Sequence, residues 1–255
     1  MSAWARLWRI PVTGLLFAAF GMGGLMLGLT AFPLLSLLVR QPERRVRWSR
    51  ELVRRTFATF VWMMRAGGIV DTRIVGAERL QRRGLLVLAS HPTLVDVVAL
   101  ISVIGNADCV VKAALARNPF MRWPVRACNF ILNSGGPELL DDCRVSLQAG
   151  GNLVIFPEGT RSRPGEPLQL QRGAAQLALR AGVNVTPVRI RCEPLGLTKG
   201  RPWWRTNDRP MRLTLEVGED IAVTPFLEGA NGEMPLAARR LTGYLRENFS
   251  SGREG

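Results

Sequence analysis

The chain has 255 residues and 47% of them are apolar, which is enough for one ordinary domain with a substantial core. Its formal net charge is +14, and only Lys112 and Lys199 among its 34 basic residues are lysines. A strongly basic balance points to nucleic acid or to an anionic membrane surface. Cys109, Cys128, Cys143 and Cys192 form no C-x-x-C pair, so neither a zinc site nor a disulfide framework is expected.

The charge is concentrated at the N-terminus, where residues 1–70 hold ten arginines against Glu43 and Glu51. From Ile10 to Val39 the chain runs thirty residues without a charge, longer than the roughly 20 that cross a bilayer. Gly14, Gly21, Gly23, Gly24, Gly28 and Pro33 interrupt it, so a spanning helix, a re-entrant hairpin and a helix pair lying in one leaflet all fit. Arg6 and Arg9 precede the run, whereas seven arginines lie between Arg40 and Arg55. The positive-inside tendency then places the remainder of the chain in the cytoplasm, at an inner-membrane location. No A-x-A cleavage site closes the run, and it is too long for a signal peptide. Residues 41–66 mix Trp48, Leu52, Phe57, Val61 and Met64 with arginines, the pattern of an amphipathic helix. Its apolar stripe suits either a bilayer surface or a protein core. These features divide the chain into a membrane-anchoring segment, 1–66, and a second domain, 67–250.

From Gly68 onward short apolar runs alternate with helical stretches. Strands are expected at Val70–Val75, Leu85–Ala89, Cys109–Val111, Asn129–Leu132, Leu153–Phe156, Val185–Ile190 and Arg212–Val217. Helices are expected at Val97–Ile104, Pro137–Ala149, Gly173–Ala181 and Pro235–Phe249, with a further helical stretch around Pro119 and Pro124. This alternation predicts an α/β fold with a mostly parallel mixed sheet flanked by helices, preceded by a membrane-associated helical segment.

Two stretches carry reactive groups. His91 is the sole histidine, follows the apolar run Leu85–Ala89, and has Asp96 five positions on. An imidazole takes a proton from a hydroxyl at neutral pH, and does so better when a carboxylate holds the ring. An isolated H-x4-D also arises by chance around a structural histidine, so its position after a buried strand matters. The second stretch is Phe156-Pro157-Glu158-Gly159-Thr160-Arg161-Ser162, also after an apolar run. Gly159 allows a ligand to approach the backbone, Arg161 offers a planar fork suited to phosphate, and Glu158 suits a role in holding that arginine or accepting from a hydroxyl. Read alone, it is equally a surface turn with a local ion pair.

Together these stretches resemble the glycerolipid acyltransferase superfamily. His91 and Asp96 match its H-x4-D motif, and Phe156–Ser162 is its F-P-E-G-T-R-S motif. Lys112, Leu115 and Pro119-Phe120 look like the segment between them, and Val185–Val188 resembles the final proline-containing motif. The resemblance implies His91 as catalytic base, Asp96 as its orienting partner, and Glu158, Gly159, Thr160, Arg161, Lys112 and Asn133 as substrate-binding residues. It implies no bound cofactor or metal, an acyl-CoA or acyl carrier protein as donor, a lysophospholipid-type acceptor, and membrane lipids as partners. Backbone N–H groups near Gly159 are then the expected oxyanion donors. Asn133 stands where the family has an arginine, so a non-glycerophosphate acceptor, a lipid alcohol or amine of a specialised pathway, is the alternative. The stretch Pro194–Gly200 followed by Trp203-Trp204 lies outside the core motifs and is similar to a bacterial branch associated with such pathways. Three other classes fit less well. A lipid-binding module without turnover has no need of both His91 and Asp96. A serine hydrolase lacks a G-x-S-x-G. Nucleic-acid binding rests on charge alone, without a zinc-finger spacing or an aromatic-basic RNA signature.

Overall fold

A computed structural model describes residues 7–133 and 138–251. Its centre is a seven-stranded sheet of β1 (Val70–Val75), β2 (Leu86–Ala89), β3 (Ala107–Lys112), β4 (Ile131–Asn133), β5 (Asn152–Ile155), β6 (Val185–Glu193) and β7 (Met211–Val217). The order is β1-β7-β6-β2-β5-β3-β4, and every neighbouring pair is parallel except β6 with β7. Five strands therefore end on one edge of the sheet, and β1 and β7 run the other way.

The β2 sequence shows how the layers form. Its four residues are all buried, so it reads as a continuous apolar run rather than an alternating one. Val87 and Ala89 join a core on one face, Leu86 and Leu88 a second core on the other. The first face is covered by α3 (Pro42–Ala66) and α4 (Asp96–Ile101), the second by α6 (Glu138–Gln148), α7 (Gly173–Ala181) and α9 (Met234–Ser250). The short helices α5 (Arg122–Ala127) and α8 (Thr224–Glu228) lie in the connections after β3 and β7.

Boundaries move for local reasons. Asn129 adopts a left-handed conformation (φ 51°), which closes α5 and delays β4 to Ile131, two residues later than expected. Helix α4 stops at Ile101, and helix α8 was not foreseen. Pro137, expected to open α6, lies outside the described residues, as do Arg6 and most of the tail expected to fray, 252–255.

The apolar N-terminal run forms one helix from Arg9 to Leu38: α1 (Arg9–Met26), a π-helical turn (Leu27–Ala31) and α2 (Phe32–Leu38). No re-entrant hairpin forms within it. It pairs antiparallel with α3, so that Phe20 packs on Phe57 and Phe60 while Val12 and Leu16 approach Gly67. Four of the glycines in this run, Gly14, Gly21, Gly24 and Gly28, form a stripe that lets aromatic residues approach. A Cβ at Gly14 would meet Trp203 at 3.2 Å, one at Gly24 would collide with the Phe120 carbonyl oxygen, and one at Gly28 with the Trp123 ring. Each glycine costs about 1 kcal/mol of helix propensity relative to alanine, which the close packing offsets.

Helix α3 buries Ser49, Arg50, Val53, Phe57, Phe60 and Met64 and exposes Trp48 and Trp62. One stripe is thus core-packing, and this helix shares the core of the sheet domain across Val53, Phe57 and Met64. Arg50 fixes this helix to the sheet. Its guanidinium pairs with Asp108 at 2.6 Å and donates to the Cys128 carbonyl at 2.9 Å. Burial pushes the Asp108 carboxyl up, opposed by Arg50, the Ser146 hydroxyl and the Cys109 N–H.

Gly24→Leu drives a side chain into the Phe120 backbone, which has no rotamer to yield. We expect a loss of about 2 kcal/mol or more, read as a lowered thermal midpoint and early proteolysis in the Arg9–Leu38 helix. Gly23→Leu, at a glycine whose Cβ would meet nothing within 4 Å, serves as the matched control.

Candidate active site

The two motif stretches meet because β2 and β5 are parallel neighbours in a fixed register. Leu88 pairs with Ile155, so three residues further on His91 faces Glu158 across the loops. The His91 N–H donates to Glu158 Oε1 at 2.8 Å, and the Ser162 hydroxyl donates to Glu158 Oε2 at 2.5 Å. The Ser162 N–H returns a bond to the His91 carbonyl at 2.8 Å. Glu158 is largely buried in this seam, so its carboxylate positions the histidine loop.

The His91 ring lies over Phe156, with centroids 4.4 Å apart, and its Nδ1 is 2.9 Å from Asp96 Oδ2. Asp96 is fully buried at the start of α4. It accepts from the Thr93 N–H at 2.6 Å and from the Thr93 hydroxyl at 2.5 Å. In Thr93-Leu94-Val95-Asp96 the acid reaches back to the N–H of the threonine three residues earlier, which is one half of a capping box, while the Thr93 hydroxyl donates to the same carboxylate and accepts from the Val95 N–H at 3.3 Å. That T-x-x-D pattern ahead of an apolar run was the available signal for Thr93, which the sequence reading did not single out. Burial pushes the Asp96 carboxyl up, and the His91 ring and both Thr93 donors oppose it. The ring thus turns Nδ1 to Asp96 and Nε2 away from it.

Gly159 has φ 67°, the left-handed conformation that favours glycine, while a Cβ there would meet only Gln171 at 3.8 Å. Backbone geometry, not space, requires it. Its N–H is bonded to the Phe156 carbonyl at 2.9 Å, so it is not among the N–H groups near Gly159 left open to an oxyanion. The free N–H groups in this loop are those of Thr160 and Arg161, which bond to nothing among the described residues.

Arg161 does not spend its whole guanidinium on a ligand. Its Nη1 donates to the Leu197 carbonyl at 3.1 Å and the Thr198 carbonyl at 3.3 Å. The Leu94 N–H donates to the same Leu197 carbonyl at 3.0 Å. The segment after β6 thereby ties both motif loops together, a role that its sequence did not announce. Nε and Nη2 of Arg161 carry no bond among the described residues.

Lys112 and Asn133 are a register pair at the ends of β3 and β4, exposed on the same sheet edge as His91. Lys112 stands level with Pro157 and two strands from His91, a lateral offset of about 10 Å. Ser90 points elsewhere: its hydroxyl accepts from the Ile190 N–H at 2.8 Å and is buried. The four cysteines are buried too, and burial is the main cause that pushes Cys109, Cys128 and Cys143 to about 12 and Cys192 to about 11.

A family model described as Acyltransferase matches residues 71–191, a span that contains every one of these groups except Cys192 and the 194–200 segment. The 1-acyl-sn-glycerol-3-phosphate acyltransferase of Pseudomonas aeruginosa is 26% identical over 137 residues, covering 50% of this chain and 52% of that one. The enzyme of the same name from Saccharomyces cerevisiae is 30% identical over 129 residues, or 47% and 42%. The lyso-ornithine lipid O-acyltransferase of Pseudomonas aeruginosa is 30% identical over 175 residues, or 67% and 64%. The chain thus spans about half the length of most curated relatives it matches. The crystal structure of the 1-acyl-sn-glycerophosphate (LPA) acyltransferase from Thermotoga maritima has the same fold, with a TM-score of 0.76 over 98% of this chain and 96% of that one at 22% identity. With both motifs intact, in order, and joined at one sheet edge, residues 71–191 match the Acyltransferase family, and the chain is similar to curated acyltransferases of lysolipids.

Proposed function

We propose that the protein is a membrane-associated O-acyltransferase. It moves a fatty acyl group from acyl-CoA or acyl carrier protein to a hydroxyl of a lysophospholipid-type acceptor, with 1-acylglycerol-3-phosphate as the first candidate. The observation that carries this reading is the His91 ring held by buried Asp96 on a loop stitched through Glu158 to the Phe156–Ser162 motif. Nε2 of His91 accepts the acceptor's hydroxyl proton while that oxygen attacks the thioester carbonyl. The tetrahedral oxyanion is met by N–H donors, for which Thr160 and Arg161 are available, and collapse expels a thiolate that takes the proton back from the imidazolium. Lys112 and the uncommitted Nε and Nη2 of Arg161 face the headgroup. Glu158 and Gly159 shape the loop that presents them, and Thr160 lies between.

No acyl-enzyme is needed. Ser90 is committed to Ile190, and thiols held at about 11 to 12 are poor nucleophiles at neutral pH.

The acceptor has a second reading. Asn133 supplies no charge beside Lys112, and the lyso-ornithine lipid O-acyltransferase shares the longest matched stretch of the three relatives described above. Both favour an acceptor without a phosphomonoester.

The Arg9–Leu38 helix is long and apolar enough to cross a membrane, with a mean hydropathy reaching 1.9. Yet it packs along its length on Trp203, Phe57, Phe120 and Trp123. Crossing the bilayer would carry those elements with it, so we favour insertion into one leaflet at the cytoplasmic surface, with Leu15, Leu29, Leu37 and Leu38 facing lipid.

Asp96→Asn keeps the shape but offers Nδ1 an amide donor, which leaves the proton on Nε2. We expect kcat to fall about 10²–10⁴-fold with little change in KM, as for His91→Ala. Turnover near wild type in either variant sinks the mechanism. Arg161→Ala should raise the acceptor KM about tenfold or more and alter the donor KM little, measured against a panel of lysolipids. Alkylation of the native protein with iodoacetamide at neutral pH should leave activity intact, whereas all four cysteines react in denaturant; inactivation in step with native labelling would restore a thiol mechanism.

A further inference from the structure

The segment 194–209 follows β6 on the catalytic edge and reaches back to the N-terminal helix. Its inner side is fixed. Arg161 and the Leu94 N–H hold the carbonyls of Leu197 and Thr198, both residues being buried. The Asn207 amide donates to the Pro194 and Leu195 carbonyls, and Arg201 donates to the Leu195 carbonyl at 2.9 Å and to Asn207 Oδ1 at 3.2 Å. A Cβ at Gly196 would collide with Met211 Sδ, so the segment is packed down on β7. At its far end Arg9 donates to the carbonyls of Asn207 and Asp208, and Trp203 sits edge-on to Phe17 with centroids 6.2 Å apart.

Its outer side is unlike a solvated loop. Trp204 is 53% exposed and stands edge-to-face on Trp203, and Leu195 is 44% exposed. The segment carries Lys199, Arg201, Arg205 and Arg209 against one acid of its own, Asp208, with Arg209 paired to Glu193 at the end of β6 at 3.5 Å. Indole rings with an apolar body and a polar edge favour the bilayer interface, and arginines beside them suit anionic headgroups. Through Trp203, Phe17 and Gly14 this patch is continuous with the apolar outer face of the Arg9–Leu38 helix.

We propose that the 194–209 segment is a second membrane contact, with Trp204 and Leu195 seated at the headgroup level of an anionic lipid surface. Because its inner side fastens Arg161 and the His91 loop, this contact sets the catalytic edge at the depth of the lipid surface. The proposal rests on the membrane-associated reading above and adds to it a contact outside the N-terminal helix.

The test uses the full chain and vesicles of phosphatidylethanolamine and phosphatidylglycerol with brominated acyl chains, which quench indoles that reach them. Part of the wild-type quenching should vanish in Trp204→Phe. Trp204→Ser and, separately, Leu195→Ser should weaken vesicle binding by about tenfold and severalfold respectively. Both should keep wild-type turnover on a water-soluble short-chain acceptor. Raised salt should weaken wild-type binding. If the wild type binds vesicles while Trp204→Phe shows unchanged quenching and both serine variants bind as wild type, the proposed contact is overturned and the helix alone anchors the protein. If the wild type does not bind vesicles at all, the membrane-associated reading falls and this proposal with it.

Discussion

The geometry of the catalytic edge depends on one carboxylate. Glu158 takes the main-chain N–H of His91 on one oxygen and the Ser162 hydroxyl on the other, in a seam almost closed to water. Charge-assisted bonds in such a place are shorter and stronger than neutral ones, and a buried carboxylate left without donors is costly. The two loops are thereby obliged to lie together. Strand register brings them near, the carboxylate fixes them, and the Ser162 N–H to His91 carbonyl bond closes the ring of contacts. The Asp96-held imidazole in one loop and the Gly159 turn in the other are both placed relative to that junction.

The sheet and both motifs were largely legible in the sequence. Runs such as Leu85–Ala89 and Leu153–Phe156 are apolar because their strands are buried on both faces, and the pattern survives in one dimension. The pairing of His91 with Asp96 was legible for a similar reason: a separation of five residues, across a turn closed by the Thr93 N–H to Asp96 bond, keeps them close. Contacts between distant segments were not. Nothing in Phe156–Ser162 alone says that the Gly159 N–H would be spent on Phe156, or that one arm of Arg161 would hold carbonyls 36 and 37 residues away. The N-terminal glycines left the single helix undecided because their helix cost is local, whereas the approach of Phe120 and Trp123 that offsets it is tertiary.

The same tertiary terms make the N-terminal helices part of the domain. Val53, Phe57 and Met64 lie in one core with Val87 and Ala89 of the central strand, and Arg50 reaches through to the buried Asp108 at the start of β3. A buried ion pair of this kind adds little net stability, but loss of either partner is severe because the other is left uncompensated. An apolar face that suits lipid and a core stripe that suits the sheet are thus opposite sides of one helical hairpin. The change of composition at residue 66 falls beside that shared core.

The near absence of lysine has a practical meaning. Thirty-two of the 34 basic residues are arginines, and the two lysines both stand on the catalytic edge, Lys112 at the end of β3 and Lys199 in the segment after β6. Amine-selective reagents applied to the folded protein therefore have few targets besides the chain's own amino terminus, and these two flank the expected substrate path. Reagents that elsewhere coat a surface indiscriminately act here as a pair of local reporters. Protection of one lysine against the other, with donor or acceptor present, distinguishes which side of the edge each ligand covers.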